Sequence, residues 1–134
     1  MFDLSTRILI VDDMLTMRKI VSKTCQTLGF KNIIEAADGA LAWEALSSAD
    51  PQVGLVISDW NMPNCTGVDL LKRVRADGRF KELPFLLVTA ESESSQVMEA
   101  LKAGVTGYVV KPFNADTLGK QIEEAHKKVA KQAA

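Results

Sequence analysis

Residues 54–62 read GLVISDWNM, a stretch that joins an apolar run to a polar end. The segment 54–58 is mostly aliphatic, which is typical of a strand covered on both faces in a parallel sheet. The run then stops at Asp59, Trp60 and Asn61. A buried strand that ends on a carboxylate and an amide indicates a functional site if neighbouring strands end in a similar way.

Four other apolar runs precede or follow this one, and segments with helical spacing of apolar residues lie between them. The other predicted strands are 7–11, 33–37, 84–88 and 107–110, of which 33–37 is expected at an edge of the sheet. The side chains expected to face the core from the helix after each strand are, in chain order, Met17, Ile20, Val21, Thr24 and Leu28; Trp43 and Leu46; Leu71 and Val74; Val97, Met98 and Leu101; and Leu118, Ile122, Ala125 and Val129.

Turn formers and capping residues set the predicted helix ends. The second helix is expected over 39–49, and Gly119 inside the fifth helix has no explanation at this level, since glycine costs about 1 kcal/mol relative to alanine there. A capping box that begins at Thr66 opens the third helix, and Asn114 caps the fifth. The predicted stops are Gly29, Asp50-Pro51, Gly78 and Gly104 for the first four helices.

Buried strands that alternate with helices predict an α/β fold. At 134 residues the chain fits one domain, so we expect residues 1–134 to form a five-stranded parallel sheet that is doubly wound by helices. The flavodoxin-like (βα)5 strand order 2-1-3-4-5 suits units of this size. The alternation alone leaves other right-handed orders open.

Composition excludes several classes of protein. Hydrophobic residues make up 47% and the formal net charge is −1, which provides no broad field for nucleic acid or an anionic membrane. Two cysteines are too few for a disulfide scaffold and lack zinc-ligand spacing; Cys25 is expected to pack in the core and Cys65 to lie in a loop. With no signal peptide or membrane-spanning run visible, we expect a cytoplasmic monomer.

The buried strands stop at polar residues of different kinds. Asp12 and Asp13 follow the first run, Asp59 the 54–58 run, Thr89 the 84–88 run and Lys111 the last. Because the carboxyl ends of parallel strands meet at one edge, we expect these side chains to lie together. Three close carboxylates require a cation or a retained proton, and oxygen ligands without His or Cys favour Mg²⁺.

This set of side chains suits phosphoryl transfer. Asp59 is the expected nucleophile, while Lys111 offsets charge on the phosphoryl oxygens and Thr89 donates a hydrogen bond. Taken singly, an acidic pair after a strand is usually a cap, and Lys-Pro is usually a turn. Their coincidence at one edge indicates a site, although the residues alone leave open an anionic ligand without a metal.

Five segments together resemble the receiver domain of two-component response regulators, in particular the single-domain chemotaxis type (the CheY family). They are ILIVDDMLTMRKIV, VISDWNMPN, VRADG, LLVTAE and GYVVKPF, and they span nearly the whole chain. The resemblance implies a signalling protein that accepts a phosphoryl group from a histidine kinase. It also implies self-catalysed phosphorylation and dephosphorylation of the protein itself, with no turnover of external substrates.

The resemblance assigns roles to the residues around Asp59. Asp59 would be the phosphoacceptor and, with Asp13 and the backbone carbonyl of Asn61, would bind Mg²⁺ directly. Asp12 would bind the ion through water. The side chains of Asn61 and Glu91 fall where the family sets the rate of dephosphorylation.

The resemblance also assigns the residues that transmit the signal. Lys111 would pair with the phosphoryl group, and its peptide bond to Pro112 is expected to be cis. Thr89 and Tyr108 would form the switch pair, in which the hydroxyl turns to the phosphate and the ring moves inward. The output surface would comprise 91–103, 107–110 and 114–128, and its partner would be a flagellar switch protein.

Alternatives to motor control stay open. Chemotaxis members carry basic residues on the output surface where this chain has Glu93, Ser94 and Gln121, which weakens the case for an acidic partner. A phosphate sink or relay receiver without motor output is therefore the alternative, and a phosphatase is a further expected partner. A phosphotransferase that turns over external substrates is disfavoured, because Asn61 stands where aspartyl phosphatases place a second acid.

Overall fold

The structure, a computed structural model, describes residues 2–48, 52–60, 62, 65–89, 94–111 and 113–133. Across these residues, five parallel strands in the order β2-β1-β3-β4-β5 alternate with five helices, so the predicted fold is confirmed. The elements are β1 (Arg7–Val11), α1 (Leu15–Thr27), β2 (Ile33–Ala36), α2 (Gly39–Ser48), β3 (Val53–Asp59), α3 (Gly67–Ala76), β4 (Phe85–Thr89), α4 (Ser94–Lys102), β5 (Gly107–Val110) and α5 (Ala115–Ala133).

Two hydrophobic cores lie on opposite faces of the sheet. Alternate residues of each buried strand point to the two faces, so that Ile8 and Ile10 enter one core while Leu9 and Val11 enter the other. Helices α1 and α5 cover the first face, and α2, α3 and α4 cover the second. Buried helix residues in the first core are Val21, Cys25, Leu118, Ile122 and Ala125, and those in the second are Ala42, Leu46, Val68, Leu70, Leu71, Val74 and Ala100.

The predicted inward faces of two helices are partly wrong. Ile20 of α1 is 46% exposed, and Met98 and Leu101 of α4 are 52% and 54% exposed. Helix α1 packs on the sheet through Val21 and Cys25, and helix α4 packs on it through Ala100. On both helices the buried face is therefore narrower than the set of apolar residues in the sequence. The side chains of Val97 and Val129 lie outside the described residues.

Most predicted helix ends are confirmed. Gly29 and Gly104 have φ of +104° and +89°, the left-handed conformation that glycine adopts without strain. Thr66 and Asp69 form the capping box of α3, and the Asn114 side chain accepts a hydrogen bond from the Thr117 amide at the start of α5.

Two further glycines bear on the helices. Helix α3 ends at Ala76 with Asp77 as its C-cap, so Gly78 directly follows the helix end as predicted, but without the positive φ of Gly29 and Gly104. Gly119 is explained by packing, because a Cβ there would lie 3.0 Å from Cδ2 of Leu28. The glycine therefore permits the close approach of α5 to the end of α1. None of the helices in the described ranges is long and apolar enough to cross a membrane.

Candidate functional site

The register of the sheet brings the predicted site residues to one edge. Val11 of β1 pairs with Ser58, and Asp59 of β3 pairs with Val88. Thr89 of β4 in turn pairs with Val110. Asp12, Asp59, Thr89 and Lys111 thus occupy consecutive strand ends at the carboxyl edge of the sheet, as the sequence predicts.

Three carboxylates meet at this edge. Asp12, Asp13 and Asp59 each offer an oxygen, and these atoms all lie within 4.8 Å of one another. Asp12 and Asp59 are buried, with 3% and 8% exposure, whereas Asp13 is exposed and leaves the group open to solvent. A set of carboxylate oxygens with one solvent-facing side fits Mg²⁺, which takes one or two carboxylates and keeps several waters.

Lys111 supplies positive charge to the same group. Its Nζ donates a hydrogen bond to Oδ1 of Asp59 at 3.0 Å and lies 4.0 Å from Oδ2 of Asp12. The lysine side chain is only 22% exposed, so water screens the pair less than it screens a surface ion pair. The ammonium is therefore placed to bind either the Asp59 carboxylate or an anionic group attached to it.

Burial raises the pKa of Asp12 above its ordinary value. The nearby carboxylate of Asp59 raises it further, while the hydrogen bond from the Met14 amide (2.9 Å) and the charge of Lys111 lower it. Burial thus outweighs the favourable contacts that the described residues provide to this carboxylate. A cation bound among the three acids would favour its charged form.

Arg18 holds the loop that carries Asp12 and Asp13. Its Nη1 donates to the backbone oxygen of Asp12 at 2.7 Å, and its Nε donates to Oε1 of Glu35 at 3.3 Å. The guanidinium thus ties the end of β1 to the edge strand β2. Sequence reasoning missed this residue, because a basic residue on a helix gives no sign of a contact made six positions back in the chain.

The loop after β3 is anchored by apolar residues. Trp60 and Met62 are buried, with 7% and 6% exposure. Their burial explains why large apolar residues occur in the sequence after Asp59, beyond the end of the strand. Gly67, the first residue of α3, donates its N–H to the Trp60 oxygen at 2.8 Å. A Cβ at Gly67 would collide with the backbone oxygen of Asp59 and lie 2.7 Å from Cδ2 of Leu87.

Gly67 is thus a second positioning residue that the sequence analysis missed. The sign of this role in the sequence is the choice of glycine at the first position of the helix, directly after the capping Thr66, where alanine or proline would favour the helix more. Because α3 begins directly against the backbone of Asp59, a side chain at position 67 would force the end of β3 and the start of α3 apart.

The two predicted switch residues lie on neighbouring strands. Thr89 is 5% exposed at the end of β4, and Tyr108 of β5 is partly buried against the core beneath α2, α3 and α4. The backbone oxygen of Thr89 accepts a hydrogen bond from the Lys111 amide at 2.7 Å, which joins the two strand ends. The expectations for Asn61, Glu91, Glu93 and the bond to Pro112 fall outside the described residues.

Comparison with known proteins identifies one family. The response regulator receiver domain family matches residues 8–123. The chain is 50% identical to the chemotaxis protein CheY of Pseudomonas aeruginosa over 92% of its own length and 98% of that protein. It is 48% identical to the chemotaxis protein CheY1 of Helicobacter pylori J99, over 87% of this chain and 94% of that one.

A solved structure shows the same fold. The chemotaxis protein CheY4 of Vibrio cholerae superposes with a TM-score of 0.84 at 36% identity, over 90% of this chain and 98% of that chain. The resemblance noted in the sequence is thereby confirmed. Since the family match runs from β1 into α5, the chain belongs to the response regulator receiver family and is a signalling domain rather than a conventional enzyme.

Proposed function

We propose that residues 1–134 form a single receiver domain that accepts a phosphoryl group on Asp59 from a histidine kinase, with Mg²⁺, and that acts as a chemotaxis-type response regulator. One observation carries the proposal. Nζ of Lys111 lies 3.0 Å from Oδ1 of Asp59, at the edge where three carboxylate oxygens lie within 4.8 Å of one another. A nucleophile, a metal-binding group and a phosphate-binding cation are thus within reach of one reacting centre.

The chemistry is an in-line displacement at phosphorus. A carboxylate oxygen of Asp59 attacks, the new O–P bond forms, and the P–N bond of the donor phosphohistidine breaks, with the electron pair returning to the imidazole. Lys111 lies close enough to Asp59 for its ammonium to offset the negative charge on the phosphoryl oxygens. Bound Mg²⁺ would neutralise charge between the carboxylates and the incoming phosphoryl group.

The proposed switch uses the contacts at the ends of β4 and β5. Phosphorylation replaces the −1 carboxylate of Asp59 with a phosphoryl group of about −2 charge, which favours arrangements in which Lys111 and the Thr89 hydroxyl both contact the new oxygens. Lys111 and Thr89 are already joined through their backbones at 2.7 Å. Movement of Thr89 toward the phosphate would then leave space for Tyr108, as proposed for the switch pair.

The output surface would be formed by α4, β5 and α5. Met98 and Leu101 of α4 are more than half exposed and do not belong to the core. Exposed apolar side chains of this kind suit contact with a protein partner. The proposed partner, implied by the resemblance to chemotaxis receivers, is a flagellar switch protein. A phosphate sink without motor output remains the second candidate, because Gln121 stands at a predicted basic position of this surface.

An apolar groove beside Lys111 suits the phosphodonor. Met17 and Ile20 of α1 and Phe113 after β5 line a cavity of about 340 Å³ together with Lys111. Apolar side chains at the rim of a charged site offer contact area to an approaching donor domain while leaving Asp59 open. Cytoplasmic location and a phosphatase partner stay predictions from the sequence.

Labelling by acetyl phosphate tests the proposal. Wild-type protein with Mg²⁺ should gain one phosphoryl group that base and hydroxylamine remove, as expected of an acyl phosphate, and Asp59→Asn should gain none. Asp116→Asn, which changes an exposed acid on α5, is the matched control and should label as the wild type does. Labelling that persists in Asp59→Asn, or that is unchanged when Mg²⁺ is chelated, would contradict the assignment.

A further inference from the structure

A second charged cavity lies at the opposite end of the strands from Asp59. It has a volume of about 370 Å³, and its walls include Thr106 before β5 and Glu82 before β4. The other walls come from the end of α3, the end of α4 and helix α5. Among the described residues that line it, Arg75, Lys81, Lys102 and Lys128 are cations and Glu82 alone is an acid.

Arg75 is a partly buried cation whose hydrogen-bond partners among the described residues are all neutral. Its Nε donates to the Gly104 oxygen at 2.8 Å, its Nη1 to the oxygens of Leu83 (2.6 Å) and Phe80 (3.2 Å), and its Nη2 to Oγ1 of Thr106 at 3.3 Å. Burial lowers the pKa of this guanidinium. A desolvated charge that meets carbonyls and a hydroxyl, but no carboxylate in the described chain, would be stabilised by an anion.

Helix ends account for part of this positive charge but not for all of it. Cations near helix C-termini are favoured by the helix dipole, and Arg75 and Lys102 stand in the last turns of α3 and α4. Lys128 of α5 instead donates from Nζ to the Thr106 backbone oxygen in the α4–β5 loop at 2.7 Å. Lys81 and Lys102 are exposed, and neither forms a hydrogen bond or ion pair with any part of the chain that the structure describes. Two ammonium groups that have no partner within the described ranges therefore line the cavity beside Arg75.

We propose that this cavity binds a small anion that carries two or more phosphate groups. The lining holds three more positive than negative charges, and the volume falls within the range of small-ligand pockets. Lys81 and Lys102 lie on separate segments, the α3–β4 loop and the end of α4, so an anion with two charged groups can bind both. The site is distinct from the edge that carries Asp59 and does not depend on the chemistry proposed there.

Amide NMR of the isotopically labelled protein tests this inference. Pyrophosphate, added without Mg²⁺ at about 0.1 M salt, should shift the amide signals of Leu83, Gly104, Val105 and Thr106 in a saturable manner. Orthophosphate should bind more weakly, because it reaches fewer of the cations. The double variant Lys81→Gln/Lys102→Gln should bind pyrophosphate at least about tenfold more weakly.

The matched control is Lys23→Gln/Lys31→Gln, which removes the same charge from exposed positions outside the cavity. It should keep the wild-type affinity. Equal loss in both double variants would mean general charge attraction and would overturn the site, as would shifts confined to the amides near Lys111. Acetyl phosphate labelling of Asp59 should be the same in all of these proteins, which separates this test from that of the proposed function.

Discussion

Lys111 and Asp59 form an ion pair of 3.0 Å that reaches across β4, the strand between the two that carry them. Both side chains are largely buried, at 22% and 10% exposure, so water screens their attraction less than that of an exposed pair of the same length. Any change of charge at Asp59 therefore acts directly on the residue that follows β5. This contact gives the proposed switch its first step.

Lys111→Ala should separate metal binding from signalling. Removal of the ammonium leaves the three carboxylates with less competing positive charge, so we expect Mg²⁺ affinity to be retained or raised. Beryllofluoride should no longer shift the amide signals of residues 107–110, because the link from Asp59 to β5 is lost. Lys120→Ala, an exposed lysine of α5, should respond as the wild type does; a normal response in Lys111→Ala would contradict the proposed transmission.

Trp60 should report ligand binding at the site by fluorescence. It is 7% exposed and follows Asp59 directly, whereas Trp43 packs with Phe80 and Arg73 elsewhere on the molecule. In Trp43→Phe, we expect the emission to change as Mg²⁺ is added and to return with a chelator. Trp60→Phe should show no such change, and a flat titration of Trp43→Phe would count against the metal site.

Gly67→Ala should destabilise the protein and slow phosphorylation. The new Cβ would meet the Asp59 backbone oxygen, a contact that no side-chain rotation relieves, and we expect a loss of about 1–3 kcal/mol in the free energy of unfolding. Urea denaturation measures the loss, and acetyl phosphate labelling measures the rate. Gly78→Ala is the control, since its Cβ would meet nothing within 4 Å and should change stability by less than about 1 kcal/mol.

The buried thiol of Cys25 should make stability depend on alkaline pH. Burial raises the pKa of Cys25 from 9.0 to about 12, so unfolding releases its proton between these values. The stabilising effect is complete below pH 9 and is lost as the pH rises toward 12, at about 1.4 kcal/mol per pH unit.

Comparison with Cys25→Ala isolates this effect from other titrating groups. The stability difference between wild type and Cys25→Ala should shrink from pH 8 to pH 10.5 in urea denaturation with reductant. Val21→Ala removes a neighbouring buried side chain that does not titrate, so its cost should be the same at both pH values. A constant difference for Cys25→Ala would show that the thiol titrates normally in the native protein.

The sequence predicted the strands and the site edge well because both follow from short-range patterns. Strands covered on both faces are continuous apolar runs, and their polar ends, such as Asp59 and Lys111, must meet in a parallel sheet. The helix faces were harder, because the exposed Met98 and Leu101 carry the same apolar signal as a buried stripe. Arg18 and Gly67 act through contacts that exist only once the chain has folded.

The division of the interior into two cores separates the proposed donor groove from most of the proposed output surface. Met17, Ile20 and Phe113 belong to the side covered by α1 and α5, whereas Tyr108 and α4 pack on the other side of the sheet. Substitutions at Met17 and Ile20 can thus tune recognition of the proposed donor without disturbing the packing of Tyr108 and α4, whereas changes in α5 would reach both surfaces. In a duplicated gene, α1 and α4 can therefore diverge separately, one toward a new input and the other toward a new output.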